Sequence, residues 1–231
     1  MRAIKAIFIK QAKDMLKNFS VLVMFILFPV VAFAMTVLVA RGNPDIPDNM
    51  FTLMMASIFI GMALIQSASA VIAEDRETKA LRFLVIAGVK PHSYLLGIGG
   101  VIFVASLFTS VAFGLIGGFN QSEFLSFMAI MVSGAIASII LGATIGIFSQ
   151  NHQAAAGLSM PIAMILGFGP MVAQFNERAE RIFRIVYTQQ INVAANDFSV
   201  GIAQPLMIVW INIAVLAILF AFAYSKKGLR N

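Results

Sequence analysis

The sequence contains no cysteine, which excludes disulfides and thiol chemistry. Charge is almost as scarce: Asp, Glu, Lys and Arg make up 11% of the 231 residues, against about 25% in ordinary soluble domains. The only histidines are His92 and His152, and neither HExxH nor GxxxxGK[ST] occurs. The chain therefore lacks a zinc-protease signature and any nucleotide loop of its own with which to hold ATP phosphates.

Apolar residues are what the chain has, at 60%. They lie in six runs, 20–40, 51–73, 93–119, 124–148, 154–175 and 204–224, each long enough for a helix to cross a hydrocarbon core of about 30 Å. The runs are continuous and lack the alternation of a membrane barrel strand. The fold class expected is an all-α integral membrane protein of one domain, with six spans. The first run exceeds the roughly 7 to 15 residues of a signal core, so it is read as a retained span.

No run contains Asp, Glu, Lys, Arg or His. Proton-driven carriers place ionisable groups inside the bilayer despite the cost, so a proton relay is excluded, as are paired catalytic carboxylates at membrane depth. The chain is expected to be no enzyme and to bind no metal or cofactor itself. Lys and Arg are retained on the cytoplasmic side. Placing both termini there leaves only Arg41, Arg178, Arg181 and Arg184 outside, so the expected setting is a bacterial cytoplasmic membrane. Anionic headgroups account for the net charge of +6, and no nucleic-acid partner is invoked.

Residues 1–19 form an amphipathic pattern, with Ile4, Ile7, Phe8, Met15 and Phe19 opposite Lys10, Lys13, Asp14 and Lys17, and should lie in the inner interface plane. Gly142 and Gly146 form a small-xxx-small pair suited to close helix packing. Pro161 and Pro170 predict a kinked or broken fifth span. Within 176–203, Ala179, Ile182, Phe183 and Val186 predict one external amphipathic helix with Glu177–Arg181 and Glu180–Arg184 pairs, then a polar return through Asn192, Asn196 and Asp197.

The most informative stretch is 74–92, charged and flanked by apolar runs. Glu74, Arg76, Glu77, Thr78, Lys79 and Arg82 carry polarity, Leu81, Leu84 and Val85 give a short apolar face, and Gly88 and Pro91 end the helix. These residues are the expected docking surface for a soluble partner. Phe28, Phe59, Gln66, Met160 and Met164 are candidates for a substrate pathway, Gln66 as the amide deep in the second span.

The amphipathic start, the six spans, AEDRETKALRFLVIAGVKPHSYLLG, SQNHQAAAGLSMP and the external segment before the last span resemble the membrane subunits of type-2 ATP-binding cassette exporters, over nearly the whole chain. The resemblance implies that the 74–92 loop holds a coupling helix docked into nucleotide-binding ATPase subunits, which bind ATP and Mg. It also implies a second permease copy or related chain, with substrate carried between the two along the first, second and fifth spans. Many members of that family have large external domains that this chain lacks, which favours small or amphiphilic cargo such as a peptide, lipid or drug. The alternatives are a self-contained channel or secondary carrier and a non-transporting regulatory membrane protein.

Overall fold

The computed structural model describes residues 2–17, 19–196, 198 and 201–227. Among them the regular structure is entirely helical: α1 (Arg2–Lys17), α2 (Phe19–Met35), α3 (Met50–Ile58), α4 (Ile65–Glu77), α5 (Ala80–Ile86), α6 (Pro91–Ile116), α7 (Gln121–Phe148), α8 (His152–Phe175), α9 (Glu177–Phe183), α10 (Tyr187–Asn196) and α11 (Ala203–Lys227). Six helical segments are long and apolar enough to cross a membrane, in keeping with the expected fold class. The second of these, Met50–Glu77, is the most enclosed, with 78% of its most apolar window buried, against 22% for the first and last. α2, α6, α7 and α8 pack around it, while α11 packs on α7.

Close approach explains that position. At Gly146 of α7 a Cβ would lie 2.7 Å from the Ser69 carbonyl of α4, so the glycine pair seats the two helices backbone to backbone. Several intramembrane hydroxyls serve their own helices: Ser110 donates to the Ser106 carbonyl, Ser133 to Ala129 and Thr144 to Ile140. Thr109 also reaches across to the Phe25 carbonyl of α2.

The second span departs from a regular α-helix. Residues Phe59–Leu64 form a π-helical segment between α3 and α4, and Thr36–Ala40 form another at the end of α2. The wider turn puts Phe59 in an aromatic cluster, 5.6 Å from Phe25, 6.0 Å from Phe28 and 5.9 Å from Phe113 between ring centroids. It also turns Gly61 onto α8, where a Cβ would stand 2.6 Å from Gly167 Cα. α8 itself is continuous through Pro161 and Pro170, so of the kink or break expected there the break does not occur.

The segment before the last span differs from the single helix expected. α9 is short and without a buried residue, whereas the stretch expected to be a polar return is α10, buried against α3, α7, α8 and α11. Several of its polar side chains find partners, while Thr188 Oγ1 and Gln189 Oε1 are buried without one among the described residues. Tyr187 shares a hydrogen bond with Ser138 at 2.8 Å, and Asn192 accepts from Gln174 at 2.8 Å. Neither Glu177–Arg181 nor Glu180–Arg184 forms an ion pair among the described residues. Asp197 lies outside the described residues.

Candidate functional site: the root of the second span

α4 carries the second span on to Glu77, and its final residues are bound to four other helices in succession. Asp75 is 5% exposed. One of its oxygens accepts from Lys10 Nζ of α1 at 2.9 Å, and the other from the Tyr94 hydroxyl of α6 at 2.9 Å. Arg76 Nη1 donates to the Ile147 carbonyl, one of the last carbonyls of α7. Glu77 Oε2 accepts from the backbone N–H of His152 at 3.1 Å, where α8 begins. A cation on carbonyls at a helix C-terminus and a carboxylate on N–H groups at an N-terminus both complement the helix dipole.

Lys10 sits under opposing influences. Partial burial disfavours its charge, but the hydrogen bond and attraction from Asp75, with Asp14 and Glu74 adding, outweigh this and raise its pKa above the ordinary lysine value.

Beyond Glu77 the chain reverses sharply. Thr78 donates its hydroxyl to the Glu74 carbonyl at 2.8 Å, and Lys79 adopts the left-handed conformation at φ 61°. α5 follows and ends in a Schellman motif: Gly88, at φ 76°, donates to the Val85 carbonyl, and Val89 donates to Leu84. The Val89 carbonyl accepts from the Tyr224 hydroxyl of α11 at 2.9 Å, and the Tyr224 ring packs 5.5 Å from Tyr94. The root of the span and its loop thus join α1, α6, α7, α8 and α11 at one end of the bundle.

This geometry redistributes the expected docking residues. Leu81 is 1% exposed, and Leu84 and Val85 are half-buried against the same core, so these three face inward. The apolar side chains that α5 turns outward are Phe83, 69% exposed, and Ile86, 66% exposed, three residues apart on one face. Exposed Lys79 and Arg82 flank them, and Glu74 and Thr78 are exposed as well. Arg76 and Glu77 are committed to α7 and α8. The sequence does not mark Phe83 and Ile86 as the outward side chains, because every residue of α5 except Arg82 is apolar, which leaves no polar face to set the direction.

The candidate pathway residues do not converge within one chain. Phe59 is fully buried in the aromatic cluster and Phe28 packs half-buried against it. Gln66 is half-buried without a partner among the described residues, on the stripe Met62, Gln66 and Ala70, which is the less enclosed side of the second span. Met160 and Met164 are exposed on α8, at 52% and 46%. Among the described residues no group of His, Asp or Glu could hold a metal ion.

Residues 42–224 match the family model described as ABC-2 family transporter protein. No curated protein matches the chain.

Proposed function

Because the chain belongs to the ABC-2 family of transporter proteins, as a multi-pass transmembrane subunit of an ATP-binding cassette transporter, we propose that it exports a hydrophobic or amphiphilic substrate and is driven through α5. α5 docks on a separate ATPase subunit through Phe83 and Ile86, with Lys79 and Arg82 at the rim. Solvent-exposed large apolar side chains on a loop between spans are what a partner's groove would cover.

The observation that carries this reading is the sequence of contacts from Asp75 to Glu77. A displacement of α5 pulls on the end of α4, and the bonds to Lys10, Tyr94, Ile147 and His152 pass it to α1, α6, α7 and α8 as rigid bodies. Both termini lie in the cytoplasm with this loop. Two copies, or one copy and a related chain, form the pathway between them. Gln66, Met160 and Met164 remain available to line it, because a single chain leaves Gln66 half-exposed and the two methionines exposed. An uncharged membrane interior suits cargo that is not itself a hydrophilic ion.

The test is co-purification with the ATPase subunit followed by transport in proteoliposomes. Phe83→Asp with Ile86→Asp should abolish both association and ATP-dependent export while leaving the melting temperature unchanged. Full ATP-dependent export by that variant would refute the docking assignment.

A further inference from the structure

Between α1, α2 and α6 lies a cavity of about 650 Å³ that opens on the outer surface of the helix bundle. Phe8 and Ala12 of α1, Phe25 and Pro29 of α2, and Val101 and Val104 of α6 are among its walls. Its one hydroxyl, on Thr109, is already donated to the carbonyls of Phe25 and Ala105, at 3.1 and 3.3 Å. A polar ligand would find no free side-chain donor in the walls, whereas the volume lies within the range of small-molecule sites, about 300 to 1,000 Å³.

The roof of the cavity is fixed. α1 is pressed into α6 where glycine leaves room: at Gly97 a Cβ would stand 2.6 Å from Ile7 Cγ2. The stripe of α1 that faces the cavity, Phe8, Ala12 and Met15, therefore holds its place against α6. Lys5 lies three residues before Phe8 and seven before Ala12, on that side of the helix, and is exposed. A basic group on the cavity side of an interfacial helix, beside an apolar slot that opens to the bilayer, matches one ligand chemistry, a hydrocarbon chain carrying an anionic head.

We propose that this cavity is a binding site for an anionic phospholipid of the cytoplasmic leaflet, with an acyl chain between α2 and α6 under α1 and its phosphate held by Lys5. The site rests on the reading of α1 as an interfacial helix on the cytoplasmic side, but not on any property of the transported substrate. An occupied slot would tie α1, and so Lys10, to α2 and α6.

The test uses the full chain in nanodiscs of phosphatidylcholine, alone or with one part in five phosphatidylglycerol, transferred to detergent for native mass spectrometry. Wild type should retain phosphatidylglycerol at least fivefold over its share of the bilayer. Lys5→Gln should lower that enrichment to near one. Val104→Trp, at a partly exposed wall position, should fill the slot and reduce retention of both lipids, with the melting temperature in phosphatidylcholine alone unchanged. Equal retention of the two lipids by wild type, or unchanged retention by Val104→Trp, would overturn the proposal. A second copy is the other occupant of such a face. Because the chain has no cysteine, Val104→Cys alone reports it: efficient disulfide dimers in the membrane would assign the groove to a protein contact instead. Lipid retention is read without ATP or cargo, so its failure leaves the transport function standing, and a failure of transport leaves the lipid result standing.

Discussion

Lys10 Nζ lies 2.9 Å from Asp75 Oδ1, joining α1 to the root of the second span across 65 residues of sequence. Asp75 is almost fully buried while Lys10 keeps 56% of its side chain exposed, so the pair is asymmetric: the aspartate depends on the lysine more than the reverse. Lys10→Met should cost about 1 to 3 kcal/mol, since it strips a buried carboxylate of its cation but leaves the Tyr94 hydrogen bond. Thermal unfolding in detergent would measure this. A double-mutant cycle with Asp75→Asn should recover part of the loss, because the neutral amide no longer needs a cation.

The same pair sets an alkaline limit. The Lys10 pKa is raised in the folded protein, so its contribution is fully present below the unfolded lysine value of about 10.4 and is lost as pH rises through the higher folded value. The difference in melting temperature between wild type and Lys10→Met should stay constant from about pH 7 to 10 and shrink above that. Lys10→Arg, whose guanidinium stays charged, should show no such shrinkage.

Arg76 and Glu77 attach the loop to the ends of α7 and α8. Glu77→Ala removes the carboxylate that accepts from the His152 N–H and should cost about 0.5 to 1 kcal/mol, as for other groups at helix N-termini. Export per ATP should fall by more than that stability loss explains. Amide exchange at the start of α8 should accelerate, and an unchanged exchange rate would show that the contact does not hold the two helices together.

Gly61 and Gly167 let the π-helical segment of the second span touch α8 along the backbone. Gly61→Val cannot be absorbed by a side-chain rotation, because the atoms it meets are main chain. The helices must separate, and a loss of about 1 to 3 kcal/mol is expected, as for other overpacked sites. The melting temperature and the yield of folded protein report it.

The six spans are legible in the sequence because membrane depth imposes a composition that no neighbour alters. The 74–92 loop is legible because charged residues between two apolar runs must leave the bilayer. Direction is what the sequence does not carry. In α5 a near-continuous apolar run gives the helix no inherent inner side, and only the core beneath Leu81 decides that Phe83 and Ile86 face out. α10 resembles a surface return in sequence because Tyr187 and Asn192 look solvent-facing until Ser138 and Gln174, on other helices, are placed beside them. The π-helical turn at Phe59–Leu64 has no local residue signature; the Gly61–Gly167 approach that accompanies it is a property of two spans together. In sequence Asp75 is one more charge continuing the second span, and its role in joining three helices arises from Lys10 and Tyr94 on separate elements.

The most direct measurement is the ratio of substrate exported to ATP hydrolysed, in proteoliposomes containing the chain and its ATPase subunit, for three variants side by side. Phe83→Asp with Ile86→Asp should lose association and export while folding normally. Lys10→Met should keep association and ATP hydrolysis but export severalfold less per ATP. Leu81→Asp, which buries a charge in the core, should fail through a lowered melting temperature or poor recovery. The contradictory result is a Phe83 and Ile86 double variant that exports like wild type, or a Lys10→Met variant whose export per ATP is unchanged. The first would remove α5 from the interface with the ATPase, and the second would remove the Lys10–Asp75 bond from the transmission of movement.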